Sequence, residues 1–239
     1  MATFAGVWTA IVTPFTDDGQ IDKEAFKRLV DFQVEGGVAG IVPCGTTGES
    51  ATLSRDERLE VIKLAVEYAA GRIGVIAGTA NNNTAESVAF TKDASKLGIQ
   101  GCLLAAPAYN KPTQEGLFQH HVAIANATDL PIMLYNVPGR TVINILPETV
   151  ARIFDACSNV VAIKEACGDI VQVSNVKRLA PDIEVLSGDD GMTLDVVVDG
   201  LREGYVHELH LPPVRDRLGH DLDHHRAYYT LINRPTSEP

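Results

Sequence analysis

The sequence of 239 residues has few cysteines, no long apolar run and a deficit of positive charge. Its four cysteines form no CxxC pair, so we expect reduced, mostly buried thiols in a cytoplasmic protein rather than a disulfide framework. No run approaches the roughly 18 apolar residues that span a bilayer, and the first residues carry no positive charge. A membrane span and a secretory leader are therefore not expected.

The charge balance is 20 basic against 31 acidic residues, a formal net charge of −11. Such an acidic chain is a poor candidate for binding nucleic acid or an anionic membrane, and an anionic substrate would need a local cation. Hydrophobic residues make up 45% of the chain, which is enough for a folded core.

One unit recurs along the chain: a short apolar run, a loop rich in Gly, Thr, Asn or Pro, and then a helical pattern. Seven runs of this kind begin about 24 to 35 residues apart, which is the size of a βα unit. They are Val7–Val12, Ala39–Val42, Ile73–Ala77, Gly101–Ala105, Pro131–Tyr135, Val160–Ile163 and Glu184–Leu186. A doubly wound sheet would also alternate in this way. The regular spacing favours an α/β fold of the (β/α)8 TIM-barrel type, whose sites lie at the carboxyl ends of the strands.

Several residues mark the predicted helix starts. Asp22 and Thr113 are typical caps, Ser54 opens a capping box, Thr84 is expected to cap the next helix, and Pro147 suits a first turn.

The composition changes near residue 193. Residues 1–193 hold 25 alanines and eight lysines, whereas residues 194–239 hold one alanine, no lysine and five of the seven histidines. We therefore expect a barrel over 1–193 that is incomplete at its C-terminal end, with the eighth strand and C-terminal helical region not recognisable, and a divergent tail over 194–239. His220 and His224 would share a helix face, but no metal-binding motif accompanies them, and no metal site is predicted.

Polar residues lie at the ends of the second and fifth predicted strands. The loop Gly45–Ser50 offers two hydroxyls between its glycines and free N–H groups for a carboxylate, or it is an ordinary βα turn. Tyr135 is either a proton relay or a packing residue, and Arg140 either holds a carboxylate or is solvated.

Lys164 ends a buried apolar strand, where lysine is rare without a purpose. Desolvation favours the neutral amine, which attacks carbonyls to form imines. The alternative is an ion pair with Glu165, but alternation along the strand turns that side chain to the opposite face.

These segments together resemble the dihydrodipicolinate synthase (4-hydroxy-tetrahydrodipicolinate synthase) family of pyruvate-dependent class I aldolases, from about Gly6 to Thr193. The resemblance rests on five motifs in order: Gly45–Glu49, Tyr109–Pro112, Tyr135–Thr141, Ile163–Ala166 and Ser187–Asp190.

The resemblance implies a role for each matching residue. Lys164 resembles the lysine that forms the Schiff base with pyruvate, and Tyr135 the proton donor and acceptor above it. Thr46 and Tyr109 match the relay partners, with Tyr109 reaching in from a neighbouring subunit. The substrate-binding positions are Thr47 for pyruvate, Arg140 for the carboxylate of aspartate semialdehyde, and Gly188.

The implied reaction condenses pyruvate with L-aspartate 4-semialdehyde to 4-hydroxy-tetrahydrodipicolinate in lysine and diaminopimelate biosynthesis, without a cofactor, in a homodimer or homotetramer. Two alternatives stay open: an inactive barrel remnant, and a related aldolase acting on a keto-sugar acid. Family members continue well beyond the Ser187–Asp190 motif, so we hypothesise a frameshifted or truncated reading frame that diverges after about Thr193.

The resemblance also suggests a lysine-effector site at Ser50, Ala51, Asn82 and Glu86. Arg55 and Arg58 stand where lysine-inhibited members often have histidine, and Ala108 where the family often has tyrosine. We therefore expect weak or absent inhibition by lysine.

Overall fold

The computed structural model describes residues 4–188 and two further strands, 206–210 and 226–230. Its strands are β1 (Trp8–Ala10), β2 (Gly40–Val42), β3 (Gly74–Gly78), β4 (Gly101–Ala105), β5 (Ile132–Asn136), β6 (Val160–Glu165), β7 (Glu184–Ser187), β8 (Val206–His210) and β9 (Arg226–Thr230). Its α-helices are α1 (Lys23–Glu35), α2 (Arg55–Ala69), α3 (Thr84–Ala94), α4 (Gln114–Ala125), α5 (Pro138–Thr141), α6 (Pro147–Ala156) and α7 (Ile170–Leu179).

The first seven strands form one parallel sheet in sequential order, which confirms the seven predicted strands and the (β/α)8 TIM-barrel class. The helix expected after β7 lies outside the described residues. The sheet curls and brings its two edges together, so that the backbone N–H of Phe4, just before β1, donates to Glu184 Oε2 on β7 at 2.8 Å. Within the described residues no eighth strand joins this sheet. β8 and β9 pair antiparallel with each other, and the expected boundary at residue 193 lies outside the described part of the chain.

Two apolar cores hold the barrel. The larger lies between the sheet and the helices and includes fully buried Phe26 and Phe90, each of which contributes about 2–3 kcal/mol through burial. The smaller lines the barrel interior around a cavity of about 780 Å³, and there the Trp8 ring lies across Gly40. A Cβ on Gly40 would come within 2.2 Å of that ring, so only glycine leaves room for the tryptophan.

Most of the predicted helix starts are confirmed. Asp22 accepts from Ala25 N, Ser54 forms a complete capping box, Thr113 accepts from Gly116 N, and Pro147 lies in the first turn of α6. The prediction at α3 was wrong by one residue. The cap there is Asn83, whose side chain accepts from the Glu86 backbone at 3.2 Å, and Thr84 is the first helical residue.

Helices long and apolar enough to cross a bilayer do not occur among the described residues. The four cysteines are free, and three of them are buried.

Candidate active site

The carboxyl ends of β5 and β6 bring together an amine and a phenol. Tyr135 and Lys164 are register partners in the parallel pair, so the two side chains lie side by side. Lys164 is half-buried, and its Nζ lies 4.5 Å from the centroid of the Tyr135 ring. An ammonium or iminium nitrogen in this position is attracted by the ring face, and the phenol can exchange protons close to it.

Six of the seven predicted catalytic and substrate-binding residues line one cavity of about 440 Å³ at this end of the barrel. They are Lys164, Tyr135, Thr46, Thr47, Arg140 and Gly188. Tyr109, the seventh, is not part of its wall. It is 88% exposed, and its backbone N–H donates to Thr141 O at 3.4 Å. The geometry of one chain thus gives Tyr109 an outward position beside the cavity rather than in it.

The loop after β2 presents both threonine side chains to the cavity. Its backbone turns tightly, with Gly48 N–H donating to Gly45 O and Glu49 N–H donating to Thr46 O, each at 3.1 Å. The buried hydroxyl of Thr13 donates to Gly48 O at 2.9 Å and anchors the loop to the segment after β1. Thr46 and Thr47 are left exposed, so their hydroxyls are available to a ligand.

Gly188 sits directly against the lysine. A Cβ there would come within 2.3 Å of Lys164 Cε and 2.9 Å of its Cγ. The Gly188 backbone N–H donates to Glu165 O, which fixes the glycine at the end of β6. Any side chain at position 188 would displace the lysine, so the glycine is needed for its placement.

Arg140 lines the same cavity. It lies on α5, is exposed, and takes part in none of the ion pairs formed within residues 4–188. Its fork of donors suits a carboxylate, and it supplies the local positive charge that the net charge of −11 makes necessary.

A second cavity of about 540 Å³ adjoins the first and shares Thr46, Val137 and Arg140 with it. All four predicted effector residues, Ser50, Ala51, Asn82 and Glu86, line it, together with Arg58 and Ala108. The structure thus brings these four residues together in one cavity.

Arg58 is a buried cation in the wall of this second cavity. It is only 5% exposed, and its guanidinium carbon lies 3.8 Å from the centroid of the Phe90 ring. Its Nη2 donates to Gly78 O at 3.2 Å, while burial lowers the pKa of the guanidinium from its usual range. The side chain is thus held rigidly by stacking and a backbone contact.

The cysteines do not compete with Lys164 as nucleophiles. Burial raises the pKa of Cys44 and of Cys102 to about 12, so both are thiols at neutral pH. Groups of three or more His, Cys, Asp and Glu side chains placed to hold a metal ion are absent from the described residues, and His220 and His224 lie outside them.

Sequence reasoning missed a buried polar cluster behind the lysine. Glu165 is 1% exposed, and its carboxylate accepts from Asn136 Nδ2 at 2.9 Å and from Gln172 Nε2 at 3.0 Å. This confirms that Glu165 faces away from Lys164. The sequence signal for this cluster is a polar residue directly after each of the two residues that meet in the cavity. Asn136 follows Tyr135 on β5, and Glu165 follows Lys164 on β6.

Comparisons with known proteins agree with this geometry. The model of the Dihydrodipicolinate synthetase family matches residues 3–214. The chain belongs to that family. A 4-hydroxy-tetrahydrodipicolinate synthase of Endomicrobium trichonymphae is 51% identical over 197 residues, which are 82% of this chain and 67% of the relative.

Solved members of the family share the fold. A dihydrodipicolinate synthase from Bacillus anthracis superposes with a TM-score of 0.77 at 44% identity, over 80% of this chain and 65% of that one. The enzyme from Acinetobacter baumannii, solved in complex with pyruvate, gives 0.75 at 46% identity, over 79% and 65%. The chain thus spans about two thirds of the curated relative and slightly less of these solved chains.

Proposed function

We propose that this chain is a Schiff-base lyase that condenses pyruvate with L-aspartate 4-semialdehyde to give 4-hydroxy-tetrahydrodipicolinate. The observation that carries the proposal is the Lys164 amine, 4.5 Å from the Tyr135 ring centroid in a cavity bordered by Thr46, Thr47 and Arg140. Membership of the family supports the choice of substrates.

The first half of the reaction uses Lys164 as nucleophile. Its neutral amine attacks the keto carbon of pyruvate, and loss of water gives an imine whose protonated form withdraws electrons. A methyl proton of pyruvate then leaves, and the electron pair forms an enamine. Tyr135 is placed to carry protons to and from this centre, and the Thr46–Thr47 loop to hold the pyruvate carboxylate.

The second half joins the two substrates. The enamine carbon attacks the aldehyde carbon of the semialdehyde, and the aldehyde oxygen takes up a proton to become a hydroxyl. Arg140 binds the second carboxylate with paired hydrogen bonds. The substrate amine then attacks the imine carbon, closes the ring and releases Lys164, so no cofactor enters the cycle.

Trapping with borohydride tests the proposal. Incubation with pyruvate and borohydride should leave one reduced pyruvate adduct, located by peptide mass analysis on Lys164, and addition of the semialdehyde should give product. A folded protein that forms no adduct would be the inactive remnant. An adduct with turnover of keto-sugar acids, but not of the semialdehyde, would identify the related aldolase instead.

We further propose that the protein works in the cytoplasm as a homodimer or homotetramer and needs no cofactor. The exposed position of Tyr109 supports an assembly in which that ring enters a neighbour's site. Sedimentation of the purified chain tests the assembly, and full activity after dialysis against a chelator would support the absence of a metal.

The composition change supports a separate proposal for the tail. Residues 194–239 have the composition of a sequence of different origin, which a frameshift after about Thr193 would explain. Translation of the gene in all frames tests this, and the idea fails if no alternative frame continues the family pattern.

A further inference from the structure

The two strands that carry Lys164 and Tyr135 are joined behind the active site by a second pair of side chains. In the β5–β6 register Tyr135 faces Lys164, and the next pair is Asn136 opposite Glu165. Successive residues of a strand point to opposite faces, so this next pair lies against the helices. Asn136 is fully buried and Glu165 nearly so, and their side chains are joined by the 2.9 Å hydrogen bond.

Hydrogen-bond donors meet both carboxyl oxygens of Glu165. The two amide hydrogens of Asn136 go to Glu165 Oε2 and to Asn144 Oδ1, at 2.9 and 2.7 Å. Those of Gln172 go to Glu165 Oε1 and to the same Asn144 oxygen, each at 3.0 Å. Both oxygens of the Glu165 side chain therefore face N–H donors, and a carboxyl group accepts from both. Glutamine there would turn an NH₂ group towards one of the donors.

The same cluster fixes the segment that follows Arg140. Asn136 Oδ1 accepts from the Ile145 backbone at 3.0 Å, and Asn144 Nδ2 donates to Gln172 Oε1 at 2.6 Å. Residues 144 and 145 connect α5, which bears Arg140, to α6. One set of hydrogen bonds thus links β5, β6, α7 and the segment that holds the second-substrate cation.

We propose that Glu165 and Asn136 are positioning residues for imine formation: their buried hydrogen bond fixes the strand ends so that the Lys164 amine meets the carbonyl at the correct distance from Tyr135. The proposal rests on the proposed function. Displacement of a reacting group by about 1 Å costs up to about 100-fold in rate, so a disturbed cluster should slow imine formation without removing any group that touches substrate.

A pair of substitutions with a rescue tests this. Glu165→Gln places an amide against a donor, and Asn136→Asp places two carboxylates together. In the double variant the new amide on β6 donates to the new carboxylate on β5, so this bond is restored with reversed polarity, while the donation from position 136 to Asn144 Oδ1 stays lost. We expect pyruvate-adduct formation on Lys164 to slow about tenfold or more in each single variant and to recover in part, to a rate above that of either single variant, in the double variant.

Asn159→Ala is the matched control. Asn159 lies at the opposite end of β6, where its amide donates to Ala125 O and Thr128 O at 3.0 and 2.8 Å. It should lower the unfolding temperature while adduct formation stays within about twofold of the parent. Three outcomes would each overturn the proposal. They are a parental rate of adduct formation in folded Glu165→Gln, a double variant as slow as the single variants, and a loss of rate in Asn159→Ala equal to that in Glu165→Gln.

Two further measurements keep the outcomes distinct. Should Glu165→Gln not fold, Gln172→Ala removes one donor to the carboxylate from α7, and an unchanged adduct rate there would overturn the proposal. Should the parent form no pyruvate adduct, the proposed function fails. The rate at which acetic anhydride acetylates Lys164 then tests the positioning role. This rate should differ from the parent's in Glu165→Gln and equal it in Asn159→Ala.

Discussion

The two adjoining cavities at the carboxyl end of the barrel are built on different principles. The 440 Å³ cavity is formed around the Lys164 amine, which lies beside the Tyr135 ring. The ends of β5 and β6 set the distance between the two groups. The 540 Å³ cavity is formed around a permanently charged guanidinium that is stacked on Phe90. The first has the amine that we propose reacts with a carbonyl, and the second has a buried cation that would favour anionic ligands. The comparison indicates that catalysis and ligand control can be disturbed separately, although the cavities share Arg140.

Removal of the amine should have the largest effect. Lys164→Ala should abolish the pyruvate adduct and all turnover, since no other amine lines the catalytic cavity in the described part of the chain. Mass analysis after borohydride reduction measures this, and Lys96→Ala on the exposed helical surface serves as control. Adduct formation at another lysine in Lys164→Ala would show that the wrong nucleophile has been assigned.

A methyl group beside the lysine should have the next largest effect. In Gly188→Ala the new Cβ would overlap Lys164 Cε, so the side chain must move, and we expect adduct formation to slow about 100-fold. The second cavity does not include Gly188, so its ligands should bind unchanged. Stopped-flow measurement of pyruvate binding compares the variant with Gly139→Ala, whose Cβ meets no atom within 4 Å.

The fold and the catalytic cavity were predictable from the sequence because each depends on local signals. Apolar β-branched runs specify the strands, and strand ends of parallel sheets converge, so Lys164, Tyr135 and Arg140 could be placed together. The Asn136–Glu165–Gln172 cluster was not predictable, because Gln172 comes from α7 and its partners depend on how that helix packs. The burial of Arg58 depends in the same way on α3, which supplies Phe90.

Lowering the pH should weaken the packing of α4 against α3, which borders the second cavity, more than it weakens β5 and β6. His120 on α4 bonds Thr84 at the start of α3, and burial, aided by neighbouring His121, lowers the pKa of His120 to about 4 from 6.5. The folded-state pKa is depressed, so the stabilisation is complete above pH 6.5 and is lost as pH falls from 6.5 towards 4. The loss attributable to His120 should be about 2–3 kcal/mol.

Urea unfolding of the parent and of His120→Gln between about pH 7 and pH 4 measures this loss. The variant should lose less stability over that range, since it has no imidazole at position 120, while both proteins share the buried His121, whose pKa is also lowered by burial, and the surface carboxylates. Equal pH dependence in the two proteins would show that the ring is already protonated, or readily solvated, in the folded state.

The smallest expected change is the response to lysine. The second cavity contains the predicted effector residues Asn82 and Glu86, but the fixed guanidinium of Arg58 opposes the ammonium groups of lysine, and Ala108 offers no ring to cover them. We therefore expect turnover to stay unchanged to within about twofold in millimolar lysine. Inhibition curves for the parent and Arg58→His measure this. Since histidine is neutral near about pH 8, a gain of inhibition in the variant would identify the Arg58 charge as the cause, whereas strong inhibition of the parent would show that Glu86 and its neighbours outweigh that charge.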